Sequence, residues 1–256
     1  HVGATLHDLL DAYASGFRPD PSALFDRIGE GLAHLVEDFL IATDRAAYHQ
    51  RTGIFKQRQA GPVRVELQGI VGDQHGDTRV HGGPEKAVHH YPFSHYAYWQ
   101  QTLGSLPDFH NSCGFGENLT TDPLTEQDVC IGDIWQLDQA IVEVSQARQP
   151  CWKLNLRFAR QGMARMVQDS RRTGWYYRVL TPGMVATGFN MTLLERPYPD
   201  WSVAHLLDVI YGSDGSIKAL EQMATINALS ESWRKLAKQR LKSGQIEDWC
   251  KRLGEM

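Results

Sequence analysis

Hydrophobic positions change their period twice along this chain, and the changes divide it into three parts. In residues 1–50 apolar side chains recur at helical spacing: Leu6, Leu9, Leu10 and Tyr13 first, then Leu24, Phe25, Ile28, Leu32, Leu35, Val36, Phe39 and Leu40 between Ser22 and Tyr48. Gly16 and Pro19 stop the first run, while Gly29 and Gly31 weaken the middle of the second. The expectation is a helical N-terminal extension over 1–50, its apolar stripe packed on the main domain. From Thr52 the texture becomes that of short strands, as in Gly53-Ile54-Phe55, Val63-Arg64-Val65-Glu66-Leu67, Ile134-Trp135-Gln136-Leu137 and Ile141-Val142-Glu143-Val144-Ser145-Gln146. Gly61-Pro62, Gly72-Asp73, Gly82-Gly83-Pro84, Gly132-Asp133 and Pro182-Gly183 punctuate them. Many short strands with such turns predict a mainly β domain, a barrel or sandwich, over residues 51–197. Two helices interrupt it, near Ser94–Gln101 and Ala159–Gln168.

After Pro197 and Pro199 the helical period returns. Ser202 is placed to cap a helix carrying Val203, Leu206, Leu207 and Ile210 that ends at Gly212. Residues 216–229 make a second helix; Trp233, Leu236, Ala237 and Leu241 make the stripe of a third, stopped by Gly244, and a last turn or two covers 245–253. This predicts a small all-α C-terminal domain over 198–256, short enough to need the barrel for its stability.

Composition narrows the class. With 42% apolar and 22% charged residues and a formal charge of −4, the chain reads as an ordinary globular protein and not as a general nucleic-acid binder. No apolar run approaches the ~20 residues that span a bilayer. Cys113, Cys130, Cys151 and Cys250 are too widely spaced for a zinc ribbon or a disulfide scaffold. Cytoplasmic residence follows as the expectation. His1 stands where an initiator Met is expected, so the start reads as processed or truncated.

The chemistry concentrates in Arg148-Gln149-Pro150-Cys151-Trp152-Lys153-Leu154-Asn155. It follows the alternating strand 141–146, so Cys151 falls in a turn at a strand end, stiffened by Pro150. Arg148 and Lys153 bring positive charge that favours the thiolate, the form that binds metals or attacks electrophiles. A soft anionic ligand beside cationic groups suits a metal carried by a phosphorylated cofactor; a buried, inert thiol is the plain alternative. In Val80-His81-Gly82-Gly83-Pro84 the paired glycines let backbone N–H groups approach an anion, or form only a tight turn beside a surface histidine. His89 and His90 point to opposite faces of a strand, which argues against their sharing one metal. In Phe115-Gly116-Glu117-Asn118-Leu119 the two polar side chains can fix a cofactor edge or serve a β-turn.

Each motif is weak alone. Together, Gly72-Asp73, Val80–Pro84, Phe115–Leu119, Gly132-Asp133 and Arg148–Cys151 resemble a MOSC domain, the module named after the C-terminal region of molybdenum cofactor sulfurase. Ala87-Val88-His89-His90-Tyr91-Pro92, Gly174-Trp175-Tyr176-Tyr177, Leu229–Trp233 and Ser243–Asp248 extend the resemblance to the bacterial YiiM-like branch with its three-helix C-terminal domain. It covers residues 52–256; residues 1–50 are outside it, and Gln74-His75-Gly76-Asp77 departs from the pattern where relatives more often carry alanine before the aspartate.

The resemblance implies a MOSC-like β-barrel and a molybdenum cofactor (pyranopterin), or none retained after purification, with Cys151 as the molybdenum ligand. It implies reduction of N-hydroxylated compounds, hydroxylamino-purines and related base analogues among them. The electrons would come from a separate flavoprotein reductase, because no flavin or nicotinamide motif is evident. Arg148, Lys153, Gly82 and Gly83 are assigned to the cofactor's phosphate and pterin, and Asn118 and Asn155 to its polar edges. His81 is either a cofactor contact or a proton donor to the leaving hydroxyl. Tyr91, Trp175 and Tyr176 either stack on a planar substrate or belong to the core. The cations Arg234, Lys235, Lys238, Arg240, Lys242, Lys251 and Arg252 either dock an acidic reductase or form a solvated helix face. Two readings compete with reductase: a carrier that holds the cofactor without redox chemistry, and sulfur transfer through a Cys151 persulfide.

Overall fold

The computed structural model describes residues 33–42, 45–47, 50–74, 81–104, 114–212 and 215–255, the first three strands by backbone only. Thirteen strands occur among them: β1 Ala33–Ala42, β2 Arg45–Ala47, β3 Gln50–Thr52, β4 Lys56–Arg58, β5 Val63–Glu66, β6 Gly69–Ile70, β7 Val88–His90, β8 Leu119–Thr121, β9 Ile134–Leu137, β10 Ala140–Ala147, β11 Trp175–Thr181, β12 Gly183–Val185 and β13 Asn190–Glu195. Eight form one curled sheet in the order β13-β9-β10-β11-β7-β8-β1-β4, and β1 also pairs with β13, which joins the two sides into a barrel. Its pairings are antiparallel except β7 with β8. β12-β5-β6 make a second small sheet and β2-β3 a hairpin.

The strands form where side chains alternate. In β10, Val142 and Val144 are wholly buried while Ile141 and Glu143 are half-buried, the period of a sheet with one face on the core. Three helices stand beside the barrel: α1 His95–Leu103, α2 Lys153–Arg157 and α3 Met163–Ser170. They bury Trp99, Leu154, Met163 and Val167 with Tyr91 and Phe115 in a separate apolar cluster.

Four helices follow the barrel: α4 Val203–Tyr211, α5 Ile217–Thr225, α6 Glu231–Ser243 and the short α7 Cys250–Leu253. Ser202 caps α4, accepting from the His205 N–H at 3.0 Å, and Gly212 ends it. Gly244 closes α6 in the left-handed region, the conformation a glycine stop supplies without a Cβ clash. Leu206, Ile210, Leu220 and Trp233 belong to the same apolar cluster as Val142 and Trp135 of the barrel. The helical domain therefore completes the barrel's core and has no separate one of its own.

The helical reading of Ser22–Tyr48 is corrected where it can be seen. Residues 33–42 are a strand of the barrel and 45–47 and 50–52 a hairpin, so the β region begins at Ala33, ahead of residue 51. A short apolar run such as Phe39-Leu40-Ile41 fits either period. The strand has hydrogen-bonding partners on both sides, β13 and β4 as well as β8, and those non-local pairings override the local spacing. The helical expectation for residues 1–32 lies outside the described residues. Gly53-Ile54-Phe55 is loop, not strand.

Candidate functional site

β10 ends at Ala147, opposite Trp175 of β11, and the Arg148 N–H donates to the Gly174 carbonyl at 3.0 Å. The chain then leaves the sheet through Gln149 and Pro150, and α2 begins two residues after Cys151. This puts a free, half-buried thiol on the wall of a cleft, flanked by Arg148 and Lys153. The glycine turn and the short 3₁₀ helix Pro84–Lys86 that follows it contribute His81, Gly82 and Lys86 to the lining. His89 of β7, Tyr176 of β11 and the Phe115–Asn118 loop line the remainder with Gly53, Ile54 and Lys56.

Charge is the cleft's main property. Its described lining includes Lys56, Lys86, Arg148 and Lys153 and no carboxylate. Lys56 is balanced from beneath: its ammonium lies 2.5 Å from the Asp73 carboxylate, with side chains only 4% and 1% exposed. Asp73 also accepts from Asn118 Nδ2 at 2.7 Å, while Asn118 Oδ1 accepts the His89 N–H at 3.0 Å. Asn118 thus ties the loop to β7 and to the buried ion pair. Arg148 is 6% exposed, and its Nη1 is buried without a protein hydrogen-bond partner. Leaving a buried charged donor unsatisfied is costly, and an anion in the cleft would relieve it.

Neighbouring groups register these charges. Burial pulls the Lys86 ammonium below the usual lysine range, and a thiolate at Cys151 would push it back up. Burial first, then the charge of Arg148, hold the His89 imidazole well below the ordinary histidine value, so His89 is neutral. Burial raises the Tyr176 phenol and the Arg148 guanidinium opposes. The His89 and Tyr176 rings lie 4.8 Å apart and tilted by 33°, two planar groups side by side on one wall.

Backbone geometry holds the walls in place. Gly82 and Gly83 both have positive φ, 77° and 86°, which turns the chain sharply before the 3₁₀ helix. Gly116 has φ 74°, and a Cβ there would meet Ile54 Cγ1 at 2.9 Å; the loop and the 53–56 segment approach this closely only because residue 116 has no side chain.

Cys151, His81, Gly82, Arg148, Lys153, Asn118 and Tyr176 are brought together as lining residues. Gly83, Asn155, Tyr91 and Trp175 are not. Asn155 is buried and faces inward: Nδ2 donates to the Leu253 carbonyl at 2.9 Å, and Oδ1 accepts the Ala164 N–H at 2.8 Å. Tyr91 is wholly buried, stacked on Phe115 at 4.2 Å, with its hydroxyl donating to the Arg172 carbonyl and accepting from Trp99. Trp175 is wholly buried against His90, 4.3 Å between ring centroids. Trp175 belongs to the barrel core, because side chains on a strand alternate and Tyr176, not its neighbour, points to the cleft; Tyr91, just beyond the end of β7, belongs to the apolar cluster with Trp99 and Phe115. His90 likewise faces inward, bonded to Thr121 and Tyr177, while His89 faces the cleft.

Lys86, His89 and Lys56 are site residues that sequence reasoning did not assign. A lysine one turn beyond a glycine pair is a readable signal for Lys86; the sequence presents His89 only as a candidate metal ligand, and among the described residues no group of three or more His, Cys, Asp and Glu gathers around a metal position. Not every C-terminal cation lies on an exposed helix face. Arg240 is buried on Glu247 and the Ile210 carbonyl, Arg252 is turned to the Cys151 loop, and Lys235 pairs with Glu231. No helix among the described residues is long and apolar enough to cross a membrane.

Comparison with known proteins bears on the family and the fold. Residues 77–192 match the model of the MOSC domain, and residues 201–244 that of the YiiM-like 3-alpha helix domain. The uncharacterized protein YflK of Bacillus subtilis is 43% identical over 183 residues, 72% of this chain and 81% of that one. Protein YiiM of Escherichia coli is 34% identical over 202 residues, covering 79% and 90% of the two chains. Its crystal structure superposes with a TM-score of 0.73 over 87% of this chain and 98% of that one. A protein named Reductase from Gibberella moniliformis is 38% identical over 193 residues, 75% of this chain but 34% of its own length. These matches, over a curled mixed barrel followed by a helical domain, make this chain a member of the MOSC family in its YiiM-like branch.

Proposed function

We propose that this chain holds a molybdenum cofactor through Cys151 and reduces N-hydroxylated compounds, with hydroxylamino-purines and related base analogues as the substrate class. One observation supports this reading above the others: the buried Arg148 Nη1 without a protein partner, in a cleft whose described lining is cationic and has a single thiol. The residues present fit the group. A thiolate is the soft donor that suits such a metal, and Arg148, Lys86 and Lys153 supply the charge that a phosphorylated pterin needs. Bound there, the cofactor would supply the two-electron chemistry that removes oxygen from an N–O bond.

The chain's own residues bind, orient and move protons. Arg148 and Lys153 hold the anionic part, and the turn at Gly82 lets backbone approach it. Tyr176 and the neutral ring of His89 offer planar faces against which a pterin or a purine packs. His81, a half-buried lining residue, serves as proton donor to the departing hydroxyl or as a cofactor contact. Electrons come from a separate flavoprotein reductase.

The test is molybdenum per chain after expression in a host that makes the cofactor, for wild type and Cys151→Ser, followed by turnover of a hydroxylamino-purine with a chemical reductant. Near-stoichiometric metal that the substitution removes, with turnover that follows the metal, is the expected result. Metal without turnover would favour a carrier. Wild type that takes up no molybdenum, beside a control molybdoenzyme that loads, would overturn the reading and return Cys151 to persulfide chemistry.

A further inference from the structure

The chain's last residues grip the peptide on both sides of Cys151. Arg252 does so twice. Its backbone carbonyl accepts the Trp152 N–H at 2.8 Å, and its guanidinium Nη1 donates to the carbonyl of Pro150. The other arm of the same guanidinium reaches Gln168 Oε1 of α3 at 2.6 Å, so one planar fork spans the cysteine loop and a neighbouring helix. Around it the grip is repeated. Asn155 Nδ2 donates to the Leu253 carbonyl at 2.9 Å, Gln161 Nε2 donates to the Gly254 carbonyl at 2.6 Å, and Arg165 holds Glu255 through Nε and Nη2 at 2.9 and 2.6 Å. Gly254, at φ 73°, lies so close that a Cβ would meet Trp152 Cβ at 2.8 Å. Leu253 is wholly buried in the cluster that contains Leu154.

The loop itself has few means of holding its shape. Pro150 has no N–H to give, and α2 is one turn and a half long. The Cys151 carbonyl accepts the Leu154 N–H at 2.9 Å, but the carbonyl before Cys151 and the amide after it are both held by one residue about a hundred positions away in sequence.

We infer that Arg252 is a positioning residue for the Cys151 thiol, and that the YiiM-like helical domain acts on the cleft through its terminal turn. A guanidinium can do this where an ammonium cannot, because its fixed fork reaches two acceptors at once. The domain is then part of the site's construction: it sets the direction in which the sulfur faces the cationic cleft. The inference rests on Cys151 being the reactive thiol of the proposed function, but its test does not require the cofactor.

The experiment measures the alkylation rate of Cys151 in cofactor-free full-length protein, by iodoacetamide labelling resolved peptide by peptide, for wild type, Arg252→Ala, Arg252→Lys and Arg196→Ala. Losing a hydrogen bond from a charged donor frees the loop by about an order of magnitude, so Arg252→Ala is expected to label Cys151 about tenfold faster. Arg252→Lys, with a charged donor but no fork, recovers part of the protection. Arg196 bonds Asp133 and the Asp128 carbonyl; its alanine variant lowers stability elsewhere and leaves the Cys151 rate unchanged. An unaltered or slower rate in Arg252→Ala, or an equal rise in Arg196→Ala, overturns the inference. If Arg252→Ala does not fold, Arg252→Lys decides: a partial rise supports the clamp and none overturns it. Protein that never binds molybdenum can still show the clamp, and loaded protein can still lack it, so the two readings fail separately.

Discussion

Gly174 is where the site's framework tolerates least. It precedes β11 with φ 70°, donates its N–H to Glu126 Oε1 at 2.7 Å and accepts the Arg148 N–H at 3.0 Å. A Cβ here would sit 2.2 Å from the His90 carbonyl oxygen, and 3.1 Å from both His89 Nε2 and Tyr91 Cδ2. Gly174→Ala therefore carries two costs. A left-handed backbone costs a non-glycine residue about 1–2 kcal/mol. Overpacking costs about 1–3 kcal/mol more, towards the upper end here because the obstacle is backbone in the neighbouring strand and cannot rotate away. The alanine recovers about 0.4–1 kcal/mol by restricting the unfolded chain. The net is a loss of about 3 kcal/mol.

Gly162→Ala separates the two terms. Gly162 has φ 81° but nothing within 4 Å of a Cβ, so it incurs the strain without the collision and loses about 1 kcal/mol. Urea denaturation of both variants, read by tryptophan fluorescence with the slope checked for constancy, should place Gly174→Ala about 2 kcal/mol below Gly162→Ala. Because the displaced atoms belong to His89, His90 and Tyr91, and Gly174 itself holds the Arg148 N–H, the proposed function predicts that molybdenum content also falls in Gly174→Ala and holds in Gly162→Ala. Equal stability in the two would refute the argument, since it would mean that β7 and β11 do not approach as closely as the structure has them.

Two further outcomes are expected. Lys56→Met removes the ammonium from a carboxylate that is 1% exposed and should cost about 3–5 kcal/mol. Lys56→Met with Asp73→Asn should recover much of it in the same melts, and a single variant as stable as wild type would show that the pair is not buried. For His89, the folded protein keeps the imidazole neutral, with its pKa well below the ordinary value through burial first and Arg148 second. The unfolded chain takes up a proton near pH 6.5 and the folded one does not. The stability from this group is therefore complete above that pH and is lost as pH falls towards the folded pKa, by at most about 1.4 kcal/mol per pH unit. In cofactor-free protein His89→Gln should flatten stability against pH between 7 and 5; curves parallel to wild type would count against a neutral His89.

What the sequence made legible was local. Ser202 and Gly212 mark the ends of α4 because a cap needs only the few residues beside it. The alternation of residues 141–146 gives β10 because one buried face writes itself into consecutive positions. Arg148, Cys151 and Lys153 share the cleft because their chemistry sits in one turn. The resemblance to the MOSC family drew on the same property, since its motifs are short turns a few residues long.

What escaped was set by distance along the chain. Nothing within residues 33–42 says that β13, β8 and β4 wait for them, so helical spacing prevailed in the reading and sheet pairing in the fold. Tyr91, Trp175 and Asn155 carry groups suited to a ligand, and each meets its partner only after folding: Phe115 under Tyr91, His90 under Trp175, Leu253 beside Asn155. Lys86 and His89 enter the cleft because β7 lies beside β11. The same reasoning explains why Arg252 first read as one more surface cation. Its positive charge is visible in sequence, but its role depends on two carbonyl oxygens and an amide that the barrel brings to it. A charge near the C-terminus is a solvated group until a loop is folded against it, and here that loop is the one that carries the thiol.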